Sequence, residues 1–584
     1  MSWRAPAWAA TRQSSWRSHR SCGRAQATRC SCSPCRSDFP SVRGGPMTGL
    51  PRQKAGSRRA GLPAALLCVA AAACSPSTGG STATAPDATS VVTTEGTLVG
   101  VREPGVAKFL GIPYARPPVG HWRWRAPAPP SAYRGTYDAS YPRAECLQNA
   151  GRRGDEDCLY LNVYRPTPST GPVTDAPVLF WIHGGGYSTG SGSRSNFAPF
   201  AISQNVVVVS INYRLGALGF LAHPALSAEE DPPRSGNYAI LDMQMALAWV
   251  RRNIAAFGGD PANVTIMGLS AGGNAVYTLL ASPTAAGLFD KAIPQSGGYS
   301  RDQAPLAEAE ARGLELANMH YGCVDTDLDP GAQPVVAHCL QNISADVIMS
   351  APPLVDPIID GMVLVETTAD AFRHGRFNQV PVIGGSTHDE GTIYAPAATD
   401  ADYAELAERQ TGAAASAVAD RYPVEAYPTP SQALATAVGD HLFYCGAIED
   451  VGQMSNYVEQ AYFYDWNDAD PAPPSPAVHG FPVTQPPIEP QAAHGLDPIY
   501  WFGLILPRDL TPEREELSNT MMAYVGNFMR TGNPNQPDLP TWHEYDVEQK
   551  RVMHLTYPID GEYDGYGAHH CDFWNDWPPA RFLR

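Results

Sequence analysis

Positive charge is what this chain has least of: 41 Lys and Arg stand against 58 Asp and Glu, a formal net charge of −17 over 584 residues. The deficit is deeper in the body of the chain. Residues 1–74 hold 12 of the basic residues and one acid, so the rest carries 29 basic residues against 57 acidic ones. An acidic surface of that kind excludes nucleic acid and anionic membrane surfaces as partners. Long hydrophobic runs are missing as well. The apolar segment 62–73 is too short to span a bilayer as a helix. No internal repeat is present, which excludes solenoids and propellers. Beyond Cys74 six cysteines remain, none of them in a C-x-x-C pattern, so neither a zinc ribbon nor a dithiol redox motif is announced. No metal and no cofactor is expected.

The first ninety residues differ in composition from the rest. Residues 1–46 are rich in Arg, Ser, Cys and Trp, and read as a dispensable or non-native extension ahead of Met47. Residues 47–74 have the layout of a signal peptide: Arg52, Lys54, Arg58 and Arg59, then the apolar run, then Ala71-Ala72-Ala73-Cys74. Small residues directly before a cysteine resemble a bacterial lipoprotein cleavage box, with Cys74 as the lipidated residue; simple cleavage and release is the alternative. Residues 75–90, rich in Ser, Thr and Pro, suit a tether. The chain is therefore expected to be exported, as a cell-envelope lipoprotein or secreted, and to meet a membrane only through that anchor. The even number of remaining cysteines, Cys146, Cys158, Cys323, Cys339, Cys445 and Cys571, suits disulfides in an oxidising compartment.

Residues 91–584 read as one globular domain. A hairpin is expected around Glu103-Pro104-Gly105, and a strand over 156–164. The continuous apolar runs 176–182 and 206–213 suit strands buried on both faces of a parallel sheet. Ile240, Met243, Leu247, Val250 and Ile254 recur at helical spacing over 239–257. Strands over 264–267, 291–295, 380–384 and 461–466 follow, with a late helix over 517–529. Strand and helix alternate, so the fold class is α/β, a mostly parallel central sheet with helices on both faces.

Within that pattern, the short β-branched run 264–267 leads into Gly268-Leu269-Ser270-Ala271-Gly272 and then a helix-compatible run over 274–280. A strand, a tight turn of small residues around a serine, and a helix are what a nucleophile elbow requires. Gly186-Tyr187-Ser188-Thr189-Gly190 matches the same G-x-S-x-G pattern, but it sits in a Gly/Ser loop with no strand directly before it. Ser270 is the expected nucleophile and Ser188 a loop residue. His183-Gly184-Gly185-Gly186 closes the 176–182 strand. Such a loop supplies backbone N–H groups to an oxyanion, here Gly185 and Gly186, with the N–H of Ala271 beside them.

These segments resemble the type-B carboxylesterases, the cholinesterase-like branch of the α/β-hydrolases, over residues 91–584. FGGDPANVTIMGLSAG is similar to that family's nucleophile signature and EDCLYLNVYRP to its second one; GGSTHDEG, AAHGLDPIYWFG and CDFWN resemble its acid, histidine and closing cysteine segments. The resemblance implies a Ser270–Glu390–His494 triad, an acyl-enzyme intermediate and a small-molecule ester substrate. Asp389 is the alternative acid. His479, in a proline-rich loop without the residues that follow His494, is the alternative base. The resemblance also implies the pairs Cys146–Cys158, Cys323–Cys339 and Cys445–Cys571. Lipase or acyltransferase chemistry on the same fold is an alternative reading, and a non-catalytic binding protein a more distant one. Two departures from the cholinesterase pattern stand out. Leu269 occupies the position before the nucleophile where those enzymes carry Glu, and the Cys146–Cys158 loop has no Trp to face a quaternary ammonium. Choline-ester hydrolysis is not expected.

Overall fold

The structure is a computed structural model, and it describes residues 89–148, 154–324, 333–468, 470–473 and 491–577. The expected leader, signal segment with Cys74, and His479 lie outside the described residues. Thr89 and Ser90, read from sequence as the end of the tether, already belong to the first strand.

Thirteen strands make one sheet among the described residues: β1 Thr89–Thr93, β2 Gly96–Glu103, β3 Val106–Pro113, β4 Thr136–Asp138, β5 Tyr160–Pro166, β6 Ala176–Ile182, β7 Val207–Ile211, β8 Gly259–Leu269, β9 Lys291–Gln295, β10 Val382–Thr387, β11 Ala461–Trp466, β12 Arg551–Leu555 and β13 Gly561–Asp564. Their order is β1-β2-β3-β5-β7-β6-β8-β9-β10-β11-β12-β13, with β4 beside β2. From β7 through β12 every pairing is parallel. Along that order the two flanks are antiparallel, with β4 joining β2 in parallel, which is why the early chain reads as hairpin rather than as strand–helix units.

Why the apolar runs are continuous is visible in the packing. Along β6, Val178, Phe180 and Ile182 enter one core, while Leu179 and Trp181 enter another. Alternate residues face opposite sides of a pleated strand, so a strand covered on both faces must be apolar at every position. The first core takes the helices Tyr238–Asn253, Ala271–Ala281 and Cys445–Ser455. The second takes Ala198–Gln204 and Pro512–Thr531. Among the described residues no helix is long and apolar enough to cross a membrane.

Some boundaries differ from expectation. β8 runs eleven residues rather than four, because its polar first half pairs only through Gly259 opposite Ala176 and shows no apolar pattern. The 239–257 helix ends at Asn253 and closes in a 3-10 turn, Ile254–Phe257, stopped by Gly258 at φ 82°. Three disulfides pair the cysteines as the resemblance implies: Cys146–Cys158, Cys323–Cys339 and Cys445–Cys571.

Candidate active site

Ser270 sits between β8 and the helix Ala271–Ala281, at φ 56° and ψ −120°. A non-glycine residue rarely holds that conformation, and it persists only where the surroundings impose it. Two hydrogen bonds do so here: Ser270 N–H donates to Gln295 O at 2.9 Å, and Asn274 N–H donates to Ser270 O at 2.8 Å. Glycine at 272 lets the helix start against the end of β6, since a Cβ there would lie 2.1 Å from Ile182 O. Gly273 approaches Gln295 O in the same way, at 2.3 Å. Two glycines weaken the helix signal of this turn, and so the helix begins at Ala271 rather than at 274.

Glu390 and His494 are brought together from 104 residues apart, Glu390 Oε2 accepting from His494 Nδ1 in a short contact. Both are buried, at 1% and 4% exposure. The other carboxylate oxygen accepts from Ser386 Oγ at 2.6 Å and Thr387 N–H at 2.8 Å. Burial alone would raise the Glu390 pKa. The opposing charge of His494 and hydrogen bonds from His494, Ser296 and Ser386 outweigh it and hold the carboxyl below its usual range. With Nδ1 committed to Glu390, the ring presents Nε2. Ser270 Oγ and His494 Nε2 are both buried without a hydrogen bond of normal geometry to any described residue. An aromatic wall surrounds them. Tyr394 stands edge-on to the His494 ring at 5.3 Å between centroids, Phe443 lies 4.5 Å from it, and Tyr299 packs on Phe443 at 5.4 Å. The hydroxyls of Tyr299 and Tyr394 come up to Ser270, and burial keeps both phenols neutral.

The glycine loop after β6 lies against the elbow: a Cβ on Gly184 would sit 2.8 Å from Leu269 O and 3.2 Å from Ser270 Cβ. Gly185, at φ 115°, has no room for a side chain, because a Cβ would meet Thr189 O at 2.2 Å. Its carbonyl is turned inward to accept from Ser188 N–H and Thr189 N–H, both at 3.0 Å. The N–H groups of Gly185, Gly186 and Ala271 donate to no other described residue. Ser188 spends its hydroxyl on Gly186 O at 3.0 Å, inside this turn and away from any strand–helix junction. Asp389 does not reach the imidazole: its carboxylate accepts from Ala492 N–H at 3.2 Å and its own N–H donates to Ala492 O at 3.0 Å. It zips the acid-bearing turn to the histidine segment.

Sequence reasoning missed the layer behind the histidine. Asp497 is fully buried and accepts at Oδ2 from Tyr464 at 2.9 Å, Trp501 at 3.0 Å and Gln295 at 3.3 Å. Burial pushes its pKa up to about 7, the Tyr464 hydrogen bond works against this, and the Glu390 charge adds to it. Gln295 thus ties the elbow to the histidine segment, its carbonyl accepting from Ser270 N–H and its side-chain amide donating to Asp497. The only sequence signal was Asp497 as a follower of His494; Gln295, Tyr299 and Phe443 carried none.

A parallel sheet with an elbow serine at one strand end, and a buried carboxylate–imidazole pair delivered from later loops, defines an α/β-hydrolase. Comparison with known proteins narrows the class. Residues 87–574 match the carboxylesterase family, and the chain belongs to it. It is 40% identical to the fumonisin B1 esterase of Sphingopyxis macrogoltabida over 66% of this chain and 73% of that protein. It is 32% identical to the para-nitrobenzyl esterase of Bacillus subtilis (strain 168), over 81% and 96% respectively. A solved PNB esterase structure superposes with a TM-score of 0.69 at 31% identity, covering 83% of this chain and 99% of that one. Acetylcholinesterase of Bungarus fasciatus is also similar, 31% identical over 81% of this chain and 83% of that protein. The protein is a serine carboxylic ester hydrolase acting on small-molecule esters.

Proposed function

We propose that the hydrolysis runs through an acyl-enzyme on Ser270. His494 Nε2 takes the proton from Ser270 Oγ as the oxygen attacks the ester carbonyl. Glu390 holds the Nδ1–H tautomer and stabilises the imidazolium that forms. The N–H groups of Gly185, Gly186 and Ala271 receive the oxyanion. The imidazolium then protonates the departing alcohol, and a water deprotonated by the same His494 releases the acid and restores Ser270. The buried Glu390–His494 hydrogen bond, with the imidazole and Ser270 sharing Tyr394 as a neighbour, is the observation that carries this reading.

Glu390→Gln keeps the shape and removes the charge, and is expected to lower kcat by about 10⁴-fold, as loss of a triad carboxylate does elsewhere. Asp389→Asn, one residue away, is expected to keep kcat within a few-fold. Rates on para-nitrophenyl acetate check both, and the reverse ranking would give the acid role to Asp389. Gly185→Ala places a methyl on Thr189 O and re-aims the loop. It is expected to cost about 10²–10³ in turnover while circular dichroism stays unchanged.

The walls of Tyr299, Tyr394 and Phe443 favour uncharged, aryl-compatible acyl or alcohol groups. The relatives' names, fumonisin B1 and para-nitrobenzyl, point to esters of varied acids and alcohols. A series of aryl and alkyl esters should therefore be turned over more efficiently than acetylcholine, since Leu269 and the 12-residue Cys146–Cys158 spacing lack the cation-binding groups. A kcat/KM for acetylcholine above those of the aryl esters would reverse this. Export as a lipoprotein rests on residues 47–74, and the three disulfides accord with an oxidising compartment. Cys74→Ser is expected to move the protein from the membrane fraction to the soluble one.

A further inference from the structure

Away from Ser270, a second cluster joins three parts of the chain that sequence keeps far apart. Asp465 on β11 is fully buried, and its Oδ2 accepts from His388 Nδ1 at 2.9 Å, from His569 Nε2 at 3.0 Å and from the Tyr563 hydroxyl in a short contact. Its Oδ1 is buried with no hydrogen-bond partner. Three donors crowd one oxygen while the other is left bare, an arrangement that a hydrogen-bonded carboxylate has no reason to prefer. The ligating atoms of His388, Asp465 and His569 all lie within 4.8 Å of one another, and the two imidazole rings meet edge-on at 4.6 Å. Two imidazoles and one carboxylate are donors suited to zinc and its first-row neighbours.

The surroundings point the same way. His569 gives its other nitrogen, Nδ1, to Asp440 Oδ1 at 2.6 Å, and Asp440 is fixed in turn by the Tyr422 hydroxyl at 2.9 Å. A carboxylate on the far nitrogen is what orients a metal-binding histidine and selects its tautomer. His388, one-third exposed, gives access from solvent.

We propose that His388, Asp465 and His569 form a binding site for one divalent first-row cation, zinc by preference, with Asp440 orienting His569. One dication with two neutral imidazoles and the carboxylates of Asp440 and Asp465 sums to zero charge, so the ion would be held without a net buried charge from these groups. The ion pins the turn that carries Glu390, strand β11 and the segment closed by Cys571 to one another, so its role is structural.

Isothermal titration of the chelator-treated, purified enzyme with zinc chloride tests the site without relying on ester hydrolysis. One ion per chain is expected, with a raised thermal midpoint that EDTA reverses. His388→Gln, at a position exposed enough to keep the fold, is expected to weaken binding at least 100-fold. Absence of binding at 100 µM zinc, or binding unchanged in His388→Gln, overturns the proposal; so does a thermal midpoint that zinc and EDTA leave untouched, which makes the cluster a hydrogen-bonded network only.

Discussion

Ser270→Ala and His494→Ala are each expected to remove nearly all turnover, a loss on the order of 10⁶ in kcat, and the double variant is expected to lose little more. The reason is that in the proposed mechanism nucleophile and base act as one unit. Without the imidazole the hydroxyl is not deprotonated in the transition state, and without the hydroxyl the imidazole has no nucleophile to activate. What survives comes from the oxyanion loop and binding alone. Ser188→Ala is the control with the same sequence motif, and since Ser188 Oγ only donates to Gly186 O, substantial activity should remain. An organophosphonate should label Ser270 covalently in the wild type and fail to label the Ser270→Ala variant. Labelling at Ser188, or full activity after Ser270→Ala, would sink the assignment.

Removing the Cys445–Cys571 bridge should be the most damaging change to stability that leaves the catalytic groups untouched. The bridge joins residues 126 apart. In the chain-entropy account, closing a loop of that size restricts the unfolded chain by about 4–5 kcal/mol, against about 3 kcal/mol for loops the size of Cys146–Cys158 and Cys323–Cys339. Cys445→Ser/Cys571→Ser is therefore expected to lower the urea midpoint more than either short-bridge double variant. Activity should fall with it, because Cys445 directly follows the turn Asp440–Tyr444 that carries Phe443 onto His494. A cost no larger than that of a short bridge would show that loop length does not govern stability here.

Ser270, the glycine loop and the alternation of buried strands with amphipathic helices were legible in the sequence because each is a local pattern. A strand buried on both faces has to be apolar at every position, as in 176–182 and 206–213. An elbow has to place small residues around its serine, as Gly268 and Gly272 do. The parallel order β7 to β12 and the helices on both faces followed from that alternation. The antiparallel flanks and the full length of β8 did not, since edge and polar strand segments leave no periodic apolar signature. Sequence also left G-x-S-x-G ambiguous between Ser188 and Ser270 until the flanking strand was weighed, and left Asp389 open beside Glu390. Neighbours in the chain, Asp389 and Glu390 differ only in direction: one side chain meets Ala492 N–H and the other the imidazole of His494, 104 residues away. Tertiary structure alone decided the aromatic wall, the Gln295–Asp497 link behind His494, and the His388–Asp465–His569 cluster. Those contacts join residues that share no spacing rule. They meet because parallel strands deliver the turns at their C-terminal ends to the same edge of the sheet, and chain order does not encode which side chains face each other there.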